Sequence, residues 1–357
     1  MQLPDVWFVV IAVLWTGYFF LEGFDFGVGI LTKLIGRSSK ERGALISTIG
    51  PVWDGNEVWL ITAAGATFAA FPDWYATMFS AFYLPTFMIL VGLIVRGLAL
   101  EYRAKRDDLR WKRNWDVILF WSSLVVPFLW GMLLANLVRG LPIGADGVYL
   151  GTLADLFNPY AVLGGLLTVV LFTFHGAVFA ALKTDGAIRG RARDLAVKAG
   201  LITLALAAFF LVWTSVEFGA PASTPIAILG LAGLIAALEA NRRAREGWAF
   251  VFSGVSVVAV TVTLFLALYP DVVPSTLTAQ WSLTVDNAAS GDYSLQIMTW
   301  IAGFATPLVL LYQGWTYWVF RQRIGAPPTP APTPADRLPG QATTTEAGKE
   351  GRNHVSR

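Results

Sequence analysis

Nine stretches of this 357-residue chain are apolar, most of them for about twenty residues or more: 6–31, 47–71, 76–100, 115–138, 160–182, 195–216, 224–239, 248–269 and 297–320. A helix of that length crosses a hydrocarbon layer about 30 Å thick. The seventh stretch is the shortest. Lipid offers the backbone no hydrogen-bond partners, so runs of this kind are expected to fold as helices that satisfy their own N–H and C=O groups. The composition agrees: 55% of residues are hydrophobic and 14% charged, against roughly a quarter charged in globular domains. The first apolar stretch begins at once, with no basic leader or small-residue cleavage site, so no cleavable signal peptide is expected.

Charge placement tests the count, because loops rich in Lys and Arg stay in the cytoplasm. Basic residues cluster after the first, third, fifth, seventh and ninth runs, and these clusters hold twenty-four of the twenty-six Lys and Arg. The exceptions are Arg139, at the far end of the fourth run, and Arg96, inside the third. The pattern predicts an all-α polytopic membrane protein. It has nine transmembrane helices with the N-terminus outside and the C-terminus cytoplasmic, arranged as two four-helix bundles plus a peripheral helix over residues 1–323. Residues 324–357 are rich in Pro, Thr and Ala and read as a disordered cytoplasmic tail.

Ionisable groups inside such spans are costly and mark pathways or cofactor sites. "GYFFLEGFDFGVGI" carries Glu22 and Asp25, and "GPVWDGNEVWL" carries Asp54 and Glu57. At ~1.5 Å per residue, Asp25 and Asp54 lie about 12 Å from the cytoplasmic ends of their runs, and Glu22 and Glu57 about 16 Å. His175 lies about 12 Å and Arg96 about 10 Å deep by the same measure. All six are thus expected in one layer of the cytoplasmic half. Each acid pair has i,i+3 spacing and shares a helix face. Four carboxylates and one arginine cannot all stay ionised in a low dielectric, so some carry a proton at neutral pH and can pass it on. The plainer reading is that the acids bond across helices or neutralise Arg96. Four acids in one layer make that reading the weaker one.

Other features exclude more than they assign. Cysteine is absent, which removes thiolate metal sites, iron–sulfur clusters and disulfides. No metal constellation is visible in the sequence. A bis-histidine haem needs two histidines in the bundle, but His354 lies in the tail. A His/Met site would pair His175 with Met88, Met132 or Met298. His175 reads better as a member of the acid layer. "DFG" at Asp25 lacks every companion of a kinase motif. Gly23 and Gly27 form a small-xxx-small pair for close helix packing. Many of the fifteen tryptophans sit at span ends as interfacial anchors. Trp53 and Trp59 instead flank the acids of the second run, where flat rings serve core packing or line a quinone or lipid crevice.

"EGFDFGVG" at Glu22, "PVWDGNEVWLITAAGATFAAFP" at Pro51, "TFHGAVFAALKT" at Thr173 and "MTWIAGFATPLVLLYQGWTYWVF" at Met298 resemble subunit II of the bacterial cytochrome bd quinol oxidases. The resemblance spans all nine runs. It implies a partner, the haem-bearing subunit I, holding two b-type haems, one d-type haem and the quinol-oxidation loop. It further implies small accessory subunits in some members, ubiquinol or menaquinol and oxygen as substrates of the complex, and a place in the bacterial plasma membrane. Subunit II itself is expected to hold no haem and no bond-making catalytic residue. Asp25 and Asp54 match the acids of the family's proton entry path, and Trp53 falls where some members hold a structural quinone. Glu57 is Gln in some members, and His175 sits in a recurrent "HGA". The rival readings are a proton-coupled secondary transporter, which would show broken helices and inverted repeats that are not evident here, and a scaffold that only stabilises its partner. No feature points to nucleic acid.

Overall fold

The first apolar run folds as a single 32-residue helix, α1, Leu3–Leu34. Pro4 sits in its first turn, where a missing N–H costs nothing, and Gln2 and Asp5 close a capping box. At about 48 Å, α1 is longer than the hydrocarbon core and tilts or projects beyond it. A computed structural model describes residues 2–324; from residue 325 onward the tail expected to be disordered lies outside the described residues.

The second run departs from expectation. Ser38 caps a short helix, α2, Ser39–Ile49, its Oγ accepting from the Glu41 N–H at 3.2 Å. The ladder then breaks at Gly50–Pro51, where proline has no N–H to continue it, and resumes as α3, Trp53–Ala70. The third run is also interrupted, at Phe82, between α4, Pro72–Ala81, and α5, Tyr83–Tyr102. There follow α6 (Leu109–Arg139), α7 (Pro159–Lys183), α8 (Gly186–Glu217), α9 (Ser223–Arg242), α10 (Glu246–Leu268) and α11 (Asp292–Val319). Asp108 and Asn158 cap α6 and α7. Between α10 and α11 lies a small antiparallel pair, β1 (Asp271–Val273) with β2 (Leu283–Thr284).

Among the described residues eight helices are long and apolar enough to cross a membrane, rather than the nine expected. The missing one is α3. It is 18 residues long, and the polar residues Asp54, Asn56 and Glu57 fall in its first two turns.

In the interior α1 packs against α3, α6, α7 and α10, while α7, α8, α9 and α10 pack on one another as a four-helix group. α5 lies on α6, and α11 touches α1 and α3. Where α1 crosses α7, Gly27 and Gly176 meet backbone to backbone: a Cβ on Gly27 would stand 2.7 Å from the Gly176 Cα and nearer still to the Phe172 carbonyl oxygen. Gly27→Ala is therefore expected to push the two helices apart and cost about 1–3 kcal/mol. A lowered thermal unfolding temperature of the detergent-solubilised protein would show it; an unchanged one would mean the crossing relaxes freely.

The five basic segments meet at one end of the bundle. Asp116 of α6 is buried and takes Arg42 at 3.1 Å and Arg103 at 2.5 Å; Glu41 takes Arg191 at 2.6 Å; Glu246 takes Arg189 at 2.7 Å and Arg323 at 3.8 Å. Glu41 holds its carboxyl below the usual range: partial burial pushes it up, but Arg191 and two backbone N–H groups outweigh that. The two long connections close the opposite end. Leu141 N–H donates to the Pro274 carbonyl at 2.9 Å, Thr276 N–H to Leu141 at 3.0 Å, and Ser290 N–H to Ala70 at 2.8 Å.

Candidate functional site

Glu22 and Asp25 are completely buried on α1, and the reason lies in what faces them. α5 presents Arg96, also completely buried, which ion-pairs with Glu22 and reaches Glu57 of α3 at 3.4 Å. Its guanidinium also lies 4.5 Å over the Phe26 ring, so the positive charge is held by two carboxylates and an aromatic face. Glu57 keeps 23% of its side chain exposed. One turn earlier on α3, Asp54 is exposed and forms no ion pair among the described residues. The acids therefore run from the surface of α3, through Glu57, to a buried arginine and Glu22.

Asp25 is tied elsewhere. Its Oδ2 accepts from the Asn56 amide at 2.7 Å, and the Asn56 Oδ1 accepts from Gln313 at 3.1 Å and from the Tyr317 hydroxyl at 2.8 Å. Trp59 Nε1–H donates to Gln313 Oε1 at 2.9 Å. Several polar atoms of this cluster have no hydrogen-bond partner among the described residues: Tyr18 OH, Glu22 Oε2, Asp25 Oδ1, and Arg96 Nε and Nη2. Buried polar atoms are normally satisfied by protein or water. Five orphaned atoms around one locus give it the hydrogen-bonding capacity to hold water.

Structure and sequence expectation differ at one of the expected site residues. His175 does not join the carboxylates: Nδ1 bonds Ser253 Oγ at 2.8 Å and Nε2 the Phe20 carbonyl at 3.3 Å, inside a ring of Phe20, Phe24 and Phe250. The physical reason is helix phase, since Phe20 and Phe24 are each two residues from Glu22 and so about 200° around α1. With both nitrogens engaged and the Phe250 plane stacked 4.9 Å away, the His175 surroundings do not fit a haem iron. Trp59 is half-buried, its N–H donating to Gln313 and its ring covering Gly17. Trp53 lies with its ring edge 3.5 Å from the position a Gly97 Cβ would take. Among the described residues no group of three or more His, Cys, Asp or Glu could hold a metal ion.

Sequence reasoning missed Asn56, Gln313, Tyr317 and Tyr18. Neutral side chains carry no desolvation alarm of the kind a carboxylate raises. The one usable signal was Gln313, an amide with no acidic or basic residue near it in "LVLLYQGWTYWVF", where an unpaired amide would be expensive.

The family model described as cytochrome bd terminal oxidase subunit II matches residues 3–320. Over 328 residues the chain is 43% identical to subunit 2 of the cytochrome bd ubiquinol oxidase of Bacillus subtilis (strain 168), covering 90% of this chain and 97% of the relative. It is 34% identical over 360 residues to subunit 2 of the cytochrome bd-I ubiquinol oxidase of Escherichia coli (strain K12), covering 90% and 95%. Its fold is similar to a chain of the bd oxidase from Geobacillus thermodenitrificans, with a TM-score of 0.72 at 21% identity, over 90% of this chain and 99% of that one. A bundle of membrane-length helices around a buried acid–arginine cluster, matched to this family over nearly all its described length, belongs to the cytochrome bd terminal oxidase subunit II family and is a multi-pass bacterial membrane subunit of an oxidoreductase complex.

Proposed function

We propose that this chain is the haem-free subunit II of a quinol:oxygen oxidoreductase and supplies a cytoplasm-facing proton path for oxygen reduction to water. Asp54 is the entry, Glu57 and the Arg96–Glu22 pair form the crossing, and Asp25 is the second fully buried acid of the path. The observation that carries this reading is the Arg96 guanidinium joining the partly exposed Glu57 to the fully buried Glu22, with exposed Asp54 one turn before Glu57 and buried Asp25 three residues from Glu22. Protons cannot reach a buried oxygen-reducing centre through apolar helices unless side chains and water conduct them. His175, facing aromatic rings, is left outside the path.

The same reading assigns the haems, two b-type and one d-type, to a subunit I partner, and ubiquinol or menaquinol to the complex as a whole. Two features support a partner on the α3–α11 side. α11 has one buried residue, Leu295, and presents Trp300 at 82% and Phe304 at 76% exposed. We also count α3 as a ninth crossing. It leaves the basic end, where α1 and α5 also terminate, and Ala70 at its far end bonds the connection that closes the opposite end. With the basic end cytoplasmic, the N-terminus lies outside.

The test is co-purification followed by turnover. The tagged chain is expected to bring down a haem-bearing polypeptide with quinol-dependent oxygen uptake. Asp54→Asn is expected to slow that uptake several-fold while the haem spectrum stays intact, because only proton entry is touched. Purification without haem protein would overturn the reading, and so would an Asp54→Asn complex with normal turnover together with an unaffected Asp25→Asn complex.

A further inference from the structure

Asn56 is the residue through which Asp25 reaches α11, and the direction of its amide is dictated from a distance. An indole N–H can only donate. Trp59 Nε1–H is 2.9 Å from Gln313 Oε1, so the Gln313 oxygen must face Trp59 and its Nε2 must face Asn56, donating to Oδ1 at 3.1 Å. The Tyr317 hydroxyl donates to the same oxygen at 2.8 Å. Both acceptor directions of Oδ1 are then filled, and the Asn56 NH2 is left to donate to Asp25 Oδ2 at 2.7 Å. Asn56 and Asp25 are both completely buried, so bulk water does not compete for these bonds. An amide that is ordinarily ambiguous end for end has here a single polarity, running from Trp59 through Gln313 and Asn56 to the carboxylate.

The geometry points to Trp59, Gln313 and Tyr317 as positioning residues for the proton path. By fixing the Asn56 amide they offer Asp25 a donor at Oδ2 and leave Oδ1, which has no partner among the described residues, as the atom that takes up and releases the proton. This inference rests on the proton-path reading and extends it to α11, a helix the acids themselves do not occupy. Were Asn56 to turn over, its oxygen would face Asp25. The carboxyl would then have to keep its proton in order to donate, and a group that must keep its proton cannot pass it on. α11 is suited to this task because so little apolar burial holds it. It is tied by Trp7 to the Leu295 carbonyl and Thr299, by the Asn56 knot, and by Lys183 to the Phe320 and Gln322 carbonyls.

The titratable and charged groups that face Asp25 are Glu22 of α1, Glu57 of α3, Arg96 of α5 and Tyr317 of α11. None of the three charged ones is altered by the following test. In the intact oxidase, Trp59→Phe combined with Tyr317→Phe removes the two donors that set the amide while keeping an aromatic ring at each position. The alkaline limb of quinol-dependent oxygen uptake is expected to move upward by about one pH unit, the size of one hydrogen bond to a carboxylate, with the haem spectrum unchanged. Tyr317→Phe alone, which deletes a single oxygen atom, is expected to move it in the same direction by less. A rate lowered equally at every pH, with the limb unmoved in both variants, would overturn the inference and leave these residues a packing role. If the double variant does not assemble, the single one decides. Asp25→Asn separates the two levels: normal turnover there sinks the proton path itself, whereas slowed turnover with an unmoved limb in the clamp variants sinks only the clamp.

Discussion

Asp25→Asn is expected to slow quinol-driven oxygen uptake by about a hundredfold, the lower end of what a positioned proton-transfer group contributes. The substitution is nearly isosteric and removes the proton-carrying oxygen. It also sets two amides face to face, since Asn56 already directs its NH2 at this side chain. On the proposed path the proton then has no acceptor at Oδ1, so turnover is expected to fall with the haem centres undisturbed. The measurement is oxygen consumption by the purified complex across pH, beside a reduced-minus-oxidised haem spectrum. A retained spectrum with lost uptake is the expected pair. Uptake close to that of the parent would show that protons reach the oxygen-reducing site by another route.

The second large effect concerns assembly. Arg96→Met is expected to destabilise the chain by about 3–5 kcal/mol, because it deletes the partner of a fully buried acid and leaves that charge uncompensated. Glu22 would lose its ion pair, Glu57 its cationic partner among the described residues, and the Phe26 ring the guanidinium lying over it. The yield of assembled oxidase and its unfolding temperature in detergent should both fall. The double variant Arg96→Met with Glu22→Gln is expected to recover much of both, since an apolar side chain facing a neutral amide carries no unpaired charge. Failure of the double variant to recover would place the role of Arg96 in its packing on Phe26 and not in its charge.

These two variants separate conduction from architecture at neighbouring positions. Asp25 is held by a neutral amide, so its removal leaves no orphaned charge and the chain should still fold. Arg96 is held by two acids, so its removal does leave one. The contrast follows from which partner each side chain met in the folded chain, and spacing along the sequence is silent on that.

Membrane residence, the helical class and the shared end of the basic loops were legible in the residues, because apolar run length and Lys/Arg placement report directly on solvation by lipid and on translocation. Glu22, Asp25, Glu57 and Arg96 were legible too: an ionisable side chain in hydrocarbon is too costly to be incidental. Three things were decided only by tertiary structure. Helix phase turned His175 away from the acids, because two residues' displacement on α1 is more than half a turn. Gly50–Pro51 divided the second span, since a broken hydrogen-bond ladder does not alter an apolar count. The clamp on Asp25 joined Asn56 and Trp59 to Gln313 and Tyr317 across more than 250 positions of chain. A hydrogen bond between neutral side chains leaves no mark in composition or period, and it exists only where packing has already brought donor and acceptor to about 3 Å from each other.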